Sequence, residues 1–260
     1  MSRERSSERP GQIAQDLYLA RGARDAAHRC DVNLQLGNFD LGAAILETLR
    51  LIPGESLVDV GCGSGTLLQR FSERVAPDGE ARGFDISSEA IESARLLGVR
   101  ADVADAVNLP IDDSQLDALT CIFAIYYHDD LAAVLAEFAR VVKVGGRLVV
   151  AGPALDTNRE LYEFHKRATG ANPSDADKIA LGFVAERVRD GLARAGFEEL
   201  DTATHTNRVV FPAPSDFLDY WKATSLFART PGASLEEGRR VLRERSGAVT
   251  LTKRVTLLSA

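Results

Sequence analysis

The chain has 260 residues, 45% of them hydrophobic and 27% charged, and a formal net charge of −7. That length and balance suit one large α/β domain, and the acidic surplus offers no global attraction for phosphate backbones, so nucleic acid is not an expected partner. Cys30, Cys62 and Cys121 show neither CxxC nor Cys/His spacing, which argues against a disulfide framework or a zinc site and fits a reducing cytoplasm.

The opening stretch, MSRERSSERPGQ, lacks the apolar core of a signal peptide, and residues 1–11 read as a disordered tail. No apolar run nears the roughly 20 residues of a membrane span, so no membrane partner is expected. Apolar positions at Ile13, Leu17, Ala20 and Ala23 or Ala27 predict an amphipathic helix, and FDLGAAILETLRLI a second, stopped by Pro53–Gly54.

From Leu57 the pattern alternates. SLVDVG reads as a strand and GTLLQRFSERV as a helix. EARGFDIS is a second strand, followed by helix SSEAIESARLLG, with Ser87 or Ser88 as N-cap and Gly98 past its end. VRADVAD and LDALTCIFAIY give strands three and four. LAAVLAEFARVV is a helix closed by Gly145–Gly146, and RLVVAGP a fifth strand. Beyond Pro153 come an inserted helix, TNRELYEFHKRATG, and a stronger one, AERVRDGLARAGF, leading into strand EELDTATH. RVVFP reads as the next strand, APSDFLDYWKATSLF and LEEGRRVLRER as helices, and VTLTKRVTLLSA as an edge strand. Such alternation predicts a parallel sheet covered on both faces, with ligands at the carboxyl ends of the strands.

The most informative stretch is LVDVGCGSGTLL, Leu57 to Leu68, a strand ending in Gly61, Gly63 and Gly65 before a helix. A triphosphate loop needs Lys and then Ser or Thr after its last glycine, whereas Gly65 is followed by Thr66, Leu67 and Leu68. The dinucleotide fingerprint needs glycine where Thr66 stands, which weakens that reading without removing it.

DVGCGSG after a strand, Asp85 ending the second strand, Asp105 ending the third and EFARVVKVGG before the fifth resemble, in this order, the class I S-adenosylmethionine-dependent methyltransferases. The segment DVADAVNLPIDDSQLDAL points to their small-molecule, type 11-like branch, and the likeness covers roughly Leu51 to Pro153. Val144 stands where the family commonly has proline. The resemblance implies a Rossmann-like, doubly wound, mostly parallel seven-stranded sheet with helices on both faces. It implies one domain over 12–260: a helical lid at 12–50, a cofactor-binding core at 51–153, and the remaining sheet with substrate-cap helices at 154–260.

The resemblance also implies S-adenosylmethionine as cofactor and no metal. Gly61, Gly63 and Gly65 would let backbone approach it, with Cys62 a small residue packed in the turn and Asp59 supporting the loop near the methionine amine. Asp85, followed by Ile86, would accept the ribose hydroxyls; Asp105 and the Ala106 backbone would read adenine, with Phe123 also against the cofactor. Tyr18 and Arg21 on the first helix would face the methionine carboxylate.

The strand-four end, FAIYYHDD, would face the acceptor: Tyr126 and Tyr127 line the space and His128 is the candidate general base, with a helix-start histidine beside Asp129 and Asp130 as the plainer reading. Tyr162, Phe164, His165, Phe217, Tyr220 and Trp221 lie on helices that would cap the acceptor pocket or simply pack into core. The expected activity is methyl transfer to an O, N or C nucleophile of a small acceptor, in secondary metabolism. The alternatives are a protein or RNA methyltransferase, a non-catalytic S-adenosylmethionine binder, and a nicotinamide oxidoreductase.

Overall fold

The structure is a computed structural model that describes residues 18, 19, 23–243 and 247–260. The tail expected over 1–11, the first turns of the first expected helix, and Arg21 lie outside the described residues.

Helix α1 (Ala23–Gln35) runs on past the expected end of the first helix, and α2 (Leu41–Leu49) follows, its start capped by Asp40 accepting from the Ala43 N–H. The apolar runs then become β1 (Ser56–Val60), β2 (Glu80–Asp85), β3 (Arg100–Val103), β4 (Leu116–Ile122) and β5 (Val142–Pro153), all parallel to their neighbours within this group. They are connected through α3 (Thr66–Val75), α4 (Ser88–Leu96) and α5 (Leu131–Val141). Ser87 is the cap of α4, accepting the Ala90 N–H at 3.2 Å, and Asp130 caps α5, accepting from Ala133 at 3.0 Å. Helix α5 ends at Val141, before the glycine pair, because Val142 already joins β4 opposite Leu116.

After β5 come α6 (Arg159–Thr169), the short α7 (Asp175–Lys178), a π-helical turn at Val184–Val188 and α8 (Arg189–Arg194). Then follow β6 (Asp201–Phe211), α9 (Pro214–Lys222), α10 (Ser225–Arg229), α11 (Leu235–Arg243) and β7 (Val249–Ser259). Sheet order is β3-β2-β1-β4-β5-β7-β6, with β7 antiparallel to both neighbours. This is the expected seven-stranded, mostly parallel α/β sheet.

Three expectations are corrected. The terminal VTLTKRVTLLSA is an interior strand, inserted between β5 and β6, and β6 is the edge. EELDTATH and RVVFP belong to one unbroken strand, paired with β7 from Asp201↔Ser259 to Phe211↔Val249. The helix expected over 213–227 is two helices, because Thr224 caps a second start by accepting from the Phe227 N–H.

Strand alternation divides the core. Val58, Val60 and Leu119 pack with Val134 and Phe138 of α5, while Leu57 and Ala118 pack with Ile45, Leu68, Phe71 and Ile91 on the other side. A third cluster joins Phe211, Val209 and Leu251 to Phe164, Phe217, Tyr220 and Trp221 from α6 and α9. Among the described residues, no helix is long and apolar enough to cross a membrane.

Candidate functional site

The strands β1, β2 and β4 end on one cavity of about 380 Å³, within the range of roughly 300–1,000 Å³ usual for small-molecule sites. The turn after β1 folds back on β2: the Gly61 and Cys62 N–H groups donate to the Phe84 carbonyl at 2.7 and 3.1 Å. Gly61 holds φ 73° and Gly63 φ 54°, which glycine adopts without a Cβ penalty. Cys62 is buried under the turn, where Gly83 of β2 makes room: a Cβ there would lie 2.6 Å from the Cys62 sulfur. Burial pushes the Cys62 thiol up, so it stays protonated.

Asp85 sits at the tip of β2 and takes hydrogen bonds from the turn. Gly63 N–H donates to one carboxylate oxygen and Ser87 N–H to the other, each at 2.9 Å. The Tyr18 hydroxyl straddles both oxygens at 3.2 and 3.1 Å, and its ring stacks on Tyr127 at 5.5 Å. Tyr18 therefore meets the acid expected to take the ribose. Asp59 lies opposite Thr120 in the β1–β4 register, and the Thr120 hydroxyl donates to it at 2.7 Å. Burial pushes Asp59 up to about 7, Thr120 opposes this, and Asp85 adds to it. Burial also raises Asp85, against the three donors named above. Among the described residues, no cationic side chain pairs with either acid.

Beyond β3, Asp105 and Ala106 reach the same cavity, as do Ile86 and Phe123. Phe123 takes a left-handed conformation, φ 56°, that ends β4 abruptly. The turn Ile125–Tyr127 then carries Tyr126, Tyr127 and His128 across the cavity. His128 Nδ1 accepts from the Asp130 N–H at 3.1 Å, which leaves the ring proton on Nε2, 3.3 Å from Asp105. One ring nitrogen is thus held by backbone and the other lies beside a carboxylate. Burial raises the Tyr126 phenol far above its ordinary value, which keeps it a donor.

Gly65 is the sequence-selected glycine that does not reach the cavity. It opens α3 at φ 83°, and a Cβ there would press on Ala94 and Val99 at 2.9 and 3.1 Å. Of the aromatic residues on α6 and α9, only Tyr220 lines the cavity; Trp221 instead donates its indole N–H to His165 at 3.1 Å inside the third core cluster. Sequence reading did not select Arg29, Asn33, Asn158, Asn207 and Lys253, which line the far wall.

Two unpaired buried carboxylates, and a Gly63 whose absent Cβ would meet nothing within 4 Å, fit a ligand bringing positive charge and hydroxyl donors. S-adenosylmethionine, with its sulfonium, ammonium and ribose diol, has that donor set.

A family model for a methyltransferase domain matches residues 58–150. Demethylmenaquinone methyltransferase of Corynebacterium kroppenstedtii is 33% identical over 173 residues, 61% of this chain and 74% of the relative. An uncharacterized 37.1 kDa protein of a Streptomyces fradiae transposon is 37% identical over 161 residues, covering 60% of this chain; the match spans 47%, about half, of that relative's length. Among solved structures, phosphoethanolamine N-methyltransferase 2 of Haemonchus contortus in complex with S-adenosyl-L-methionine shares the fold. Its TM-score is 0.59 at 14% identity, covering 95% of this chain and 59% of that one. Sheet order, glycine turn and these likenesses agree: the chain belongs to the class I S-adenosylmethionine-dependent methyltransferases.

Proposed function

We propose that the chain transfers a methyl group from S-adenosylmethionine to an oxygen, nitrogen or carbon nucleophile of a small organic acceptor, in the cytoplasm and in secondary metabolism. One observation carries this reading. A single cavity joins the acid-lined glycine turn to a second wall from α1, α9, β6 and β7, with Tyr126 and Tyr127 between them. The C. kroppenstedtii relative, named for demethylmenaquinone as its acceptor, supports an organic acceptor over RNA or protein. The free thiols of Cys30, Cys62 and Cys121 support a reducing compartment.

When bound, S-adenosylmethionine supplies a methyl on a sulfonium, a leaving group its own charge has already activated. The chain's work is then alignment and exclusion of water. In this reading residues 51–153 form the cofactor-binding core, with Asp85 receiving the ribose diol after Tyr18 releases it. Asp59, held by Thr120, faces the ammonium, and Asp105 with Ala106 faces adenine. The described residues of 12–50 close over this core, and those of 154–260 shape the acceptor wall. Tyr126 and Tyr127 steer the acceptor, and His128 positions Asp105 and the start of α5 instead of acting as a base.

The test is a titration with S-adenosylhomocysteine and with NAD, followed by incubation with methyl-labelled cofactor and small acceptors, total RNA or protein. Binding of S-adenosylhomocysteine alone, with label moving to a small molecule, is the expected result. NAD binding without a response to S-adenosylhomocysteine, label moving only to RNA or protein, or no transfer to any acceptor would each overturn it.

A further inference from the structure

We propose that the wall opposite the glycine turn is an anion-receiving subsite, in which Lys253 and the Tyr220 hydroxyl take the carboxylate of a hydroxy- or amino-substituted organic acid. The inference rests on the methyl-transfer reading and names the acceptor class for that same cavity.

The cavity is electrically polar. The acids among its described lining residues are Asp59, Asp85 and Asp105, all at the ends of β1, β2 and β3. The far wall holds Arg29, Lys253 and Arg254. Arg254 is paired with Asp156, but no carboxylate pairs with Lys253 or Arg29 among the described residues. Arg29 instead donates to the Ala223 carbonyl, which fixes α1 against the end of α9.

Lys253 lies on β7 directly opposite Asn207 of β6, so both share one sheet face. Its ammonium rests 4.9 Å from the centroid of the Tyr220 ring. Asn207 accepts from the Asn38 and Phe39 N–H groups and donates to the Asn33 carbonyl, and so fixes the loop that frames this wall.

The wall also carries orphaned polar atoms. The Tyr220 hydroxyl and the side-chain oxygens of Asn33 and Asn158 are buried without a hydrogen-bond partner, and all three residues line the cavity. Buried polar groups are normally satisfied, so three around one cavity mark where a ligand completes the set. A phenol hydroxyl and an ammonium donate, and together they suit a carboxylate. The amide oxygens of Asn33 and Asn158 accept, and they call for N–H or O–H groups on the same molecule.

Lys253 is four strand intervals from Asp85, in the order β2-β1-β4-β5-β7, which is roughly 19 Å at the usual strand spacing. That separation puts the cation on the acceptor side of the cavity.

The experiment uses the full chain saturated with S-adenosylhomocysteine. The probes are 4-hydroxybenzoate and anthranilate, each paired with its neutral carboxamide, with affinities measured by calorimetry and ligand-detected NMR. Each acid is expected to bind at least tenfold more tightly than its amide. Lys253→Gln removes that preference while leaving S-adenosylhomocysteine affinity within twofold. Tyr220→Phe, which keeps the ring under the ammonium, weakens the acids at least threefold and leaves the thermal midpoint near wild type. Equal binding of acid and amide, or binding of neither, overturns the proposal. So does a Lys253→Gln variant that loses S-adenosylhomocysteine as strongly as the acids, since the cation would then serve the cofactor's own carboxylate. Failure of the wild type to bind S-adenosylhomocysteine at all would instead strike the methyl-transfer reading.

Discussion

Replacing Gly61 and Gly63 separately by alanine should split folding from ligand binding within one turn. Both glycines are left-handed, at φ 73° and 54°, and an L-residue there loses roughly 1–2 kcal/mol. At Gly63 the added Cβ meets nothing within 4 Å, so strain is the whole cost to the fold. For a domain of this size that lowers the thermal midpoint by about 2–8 °C. At Gly61 the Cβ would lie 2.2 Å from the Ala124 Cβ, whereas carbons in contact prefer about 3.5–4.0 Å. The ends of β1 and β4 must part to admit it, adding about 1–3 kcal/mol of overpacking. Binding should be affected differently. The Gly63 methyl enters the cavity where the turn meets its ligand, and losing one or two close backbone contacts at roughly 0.5–1.5 kcal/mol each weakens S-adenosylhomocysteine about two- to 150-fold. Thermal unfolding without ligand and calorimetric titration measure the two effects. Gly63→Ala binding as well as wild type, or unfolding as readily as Gly61→Ala, would refute the reasoning.

Tyr18→Phe removes the hydroxyl that now satisfies Asp85; S-adenosylhomocysteine should bind about three- to tenfold more tightly, matching one hydrogen bond of roughly 1 kcal/mol, and weaker binding would make Tyr18 a cover instead of a competitor. Asp59, pushed up to about 7 by burial first and Asp85 second, is half protonated near neutrality. A ligand ammonium favours its charged form, so affinity should climb from pH 6 to 8 with proton release, and Asp59→Asn should flatten the profile. A flat wild-type profile would exclude an ammonium beside this acid. Without ligand, the raised Asp59 contributes stability that is full below about 4, its unfolded range, and is lost as pH rises through about 7. His165 works in the other direction. Burial lowers its pKa and keeps it neutral, accepting from Trp221 and 3.1 Å from the Thr230 hydroxyl. The unfolded chain then binds more protons, so stability should fall as pH drops below about 6.5. His165→Asn keeps an acceptor for the indole and should remove that acid-side loss; an unchanged pH slope of the thermal midpoint would show that His165 does not titrate there.

The glycine turn, the second-strand acid and the helix caps were legible because each depends on neighbours close in sequence. Ser87 caps its helix by a bond to Ala90, three residues on, and Gly61 and Cys62 return to a strand just after the intervening helix. Strand order is not local, which is why VTLTKRVTLLSA reads as an edge. The adjacent buried Leu257 and Leu258 were the signal that both of its faces are covered. The polar stretch His205–Arg208 likewise reads as a break between strands. It remains strand because the Asn207 side chain and the Arg208 N–H find partners in α1 and the loop after it. Position could be read for His128, but not the Asp130 N–H that bonds its Nδ1 or the Asp105 carboxylate beside its Nε2. The far wall had no local signature at all: Arg29, Asn158 and Lys253 come from a helix, a loop and the last strand.

On the proposed reading a sulfonium methyl asks for alignment first, and the cavity's charges bear on how the acceptor would lose its proton. Alignment alone can be worth about 7–11 kcal/mol when reactants are held in a near-attack arrangement. The base expected at His128 has one ring nitrogen held by backbone and the other beside a carboxylate, and the Tyr126 phenol is held protonated by burial. The acids sit under the glycine turn and the unpaired cations face them across the cavity. In a cavity of low dielectric such an arrangement favours a cationic cofactor at one end and an anionic acceptor at the other. There the sulfonium's own charge would favour the ionised form of a hydroxyl set against its methyl, the form that attacks it. On the proposed reading, deprotonation is assisted by where the acceptor binds, and the side chains between the two ends need only hold the line of attack.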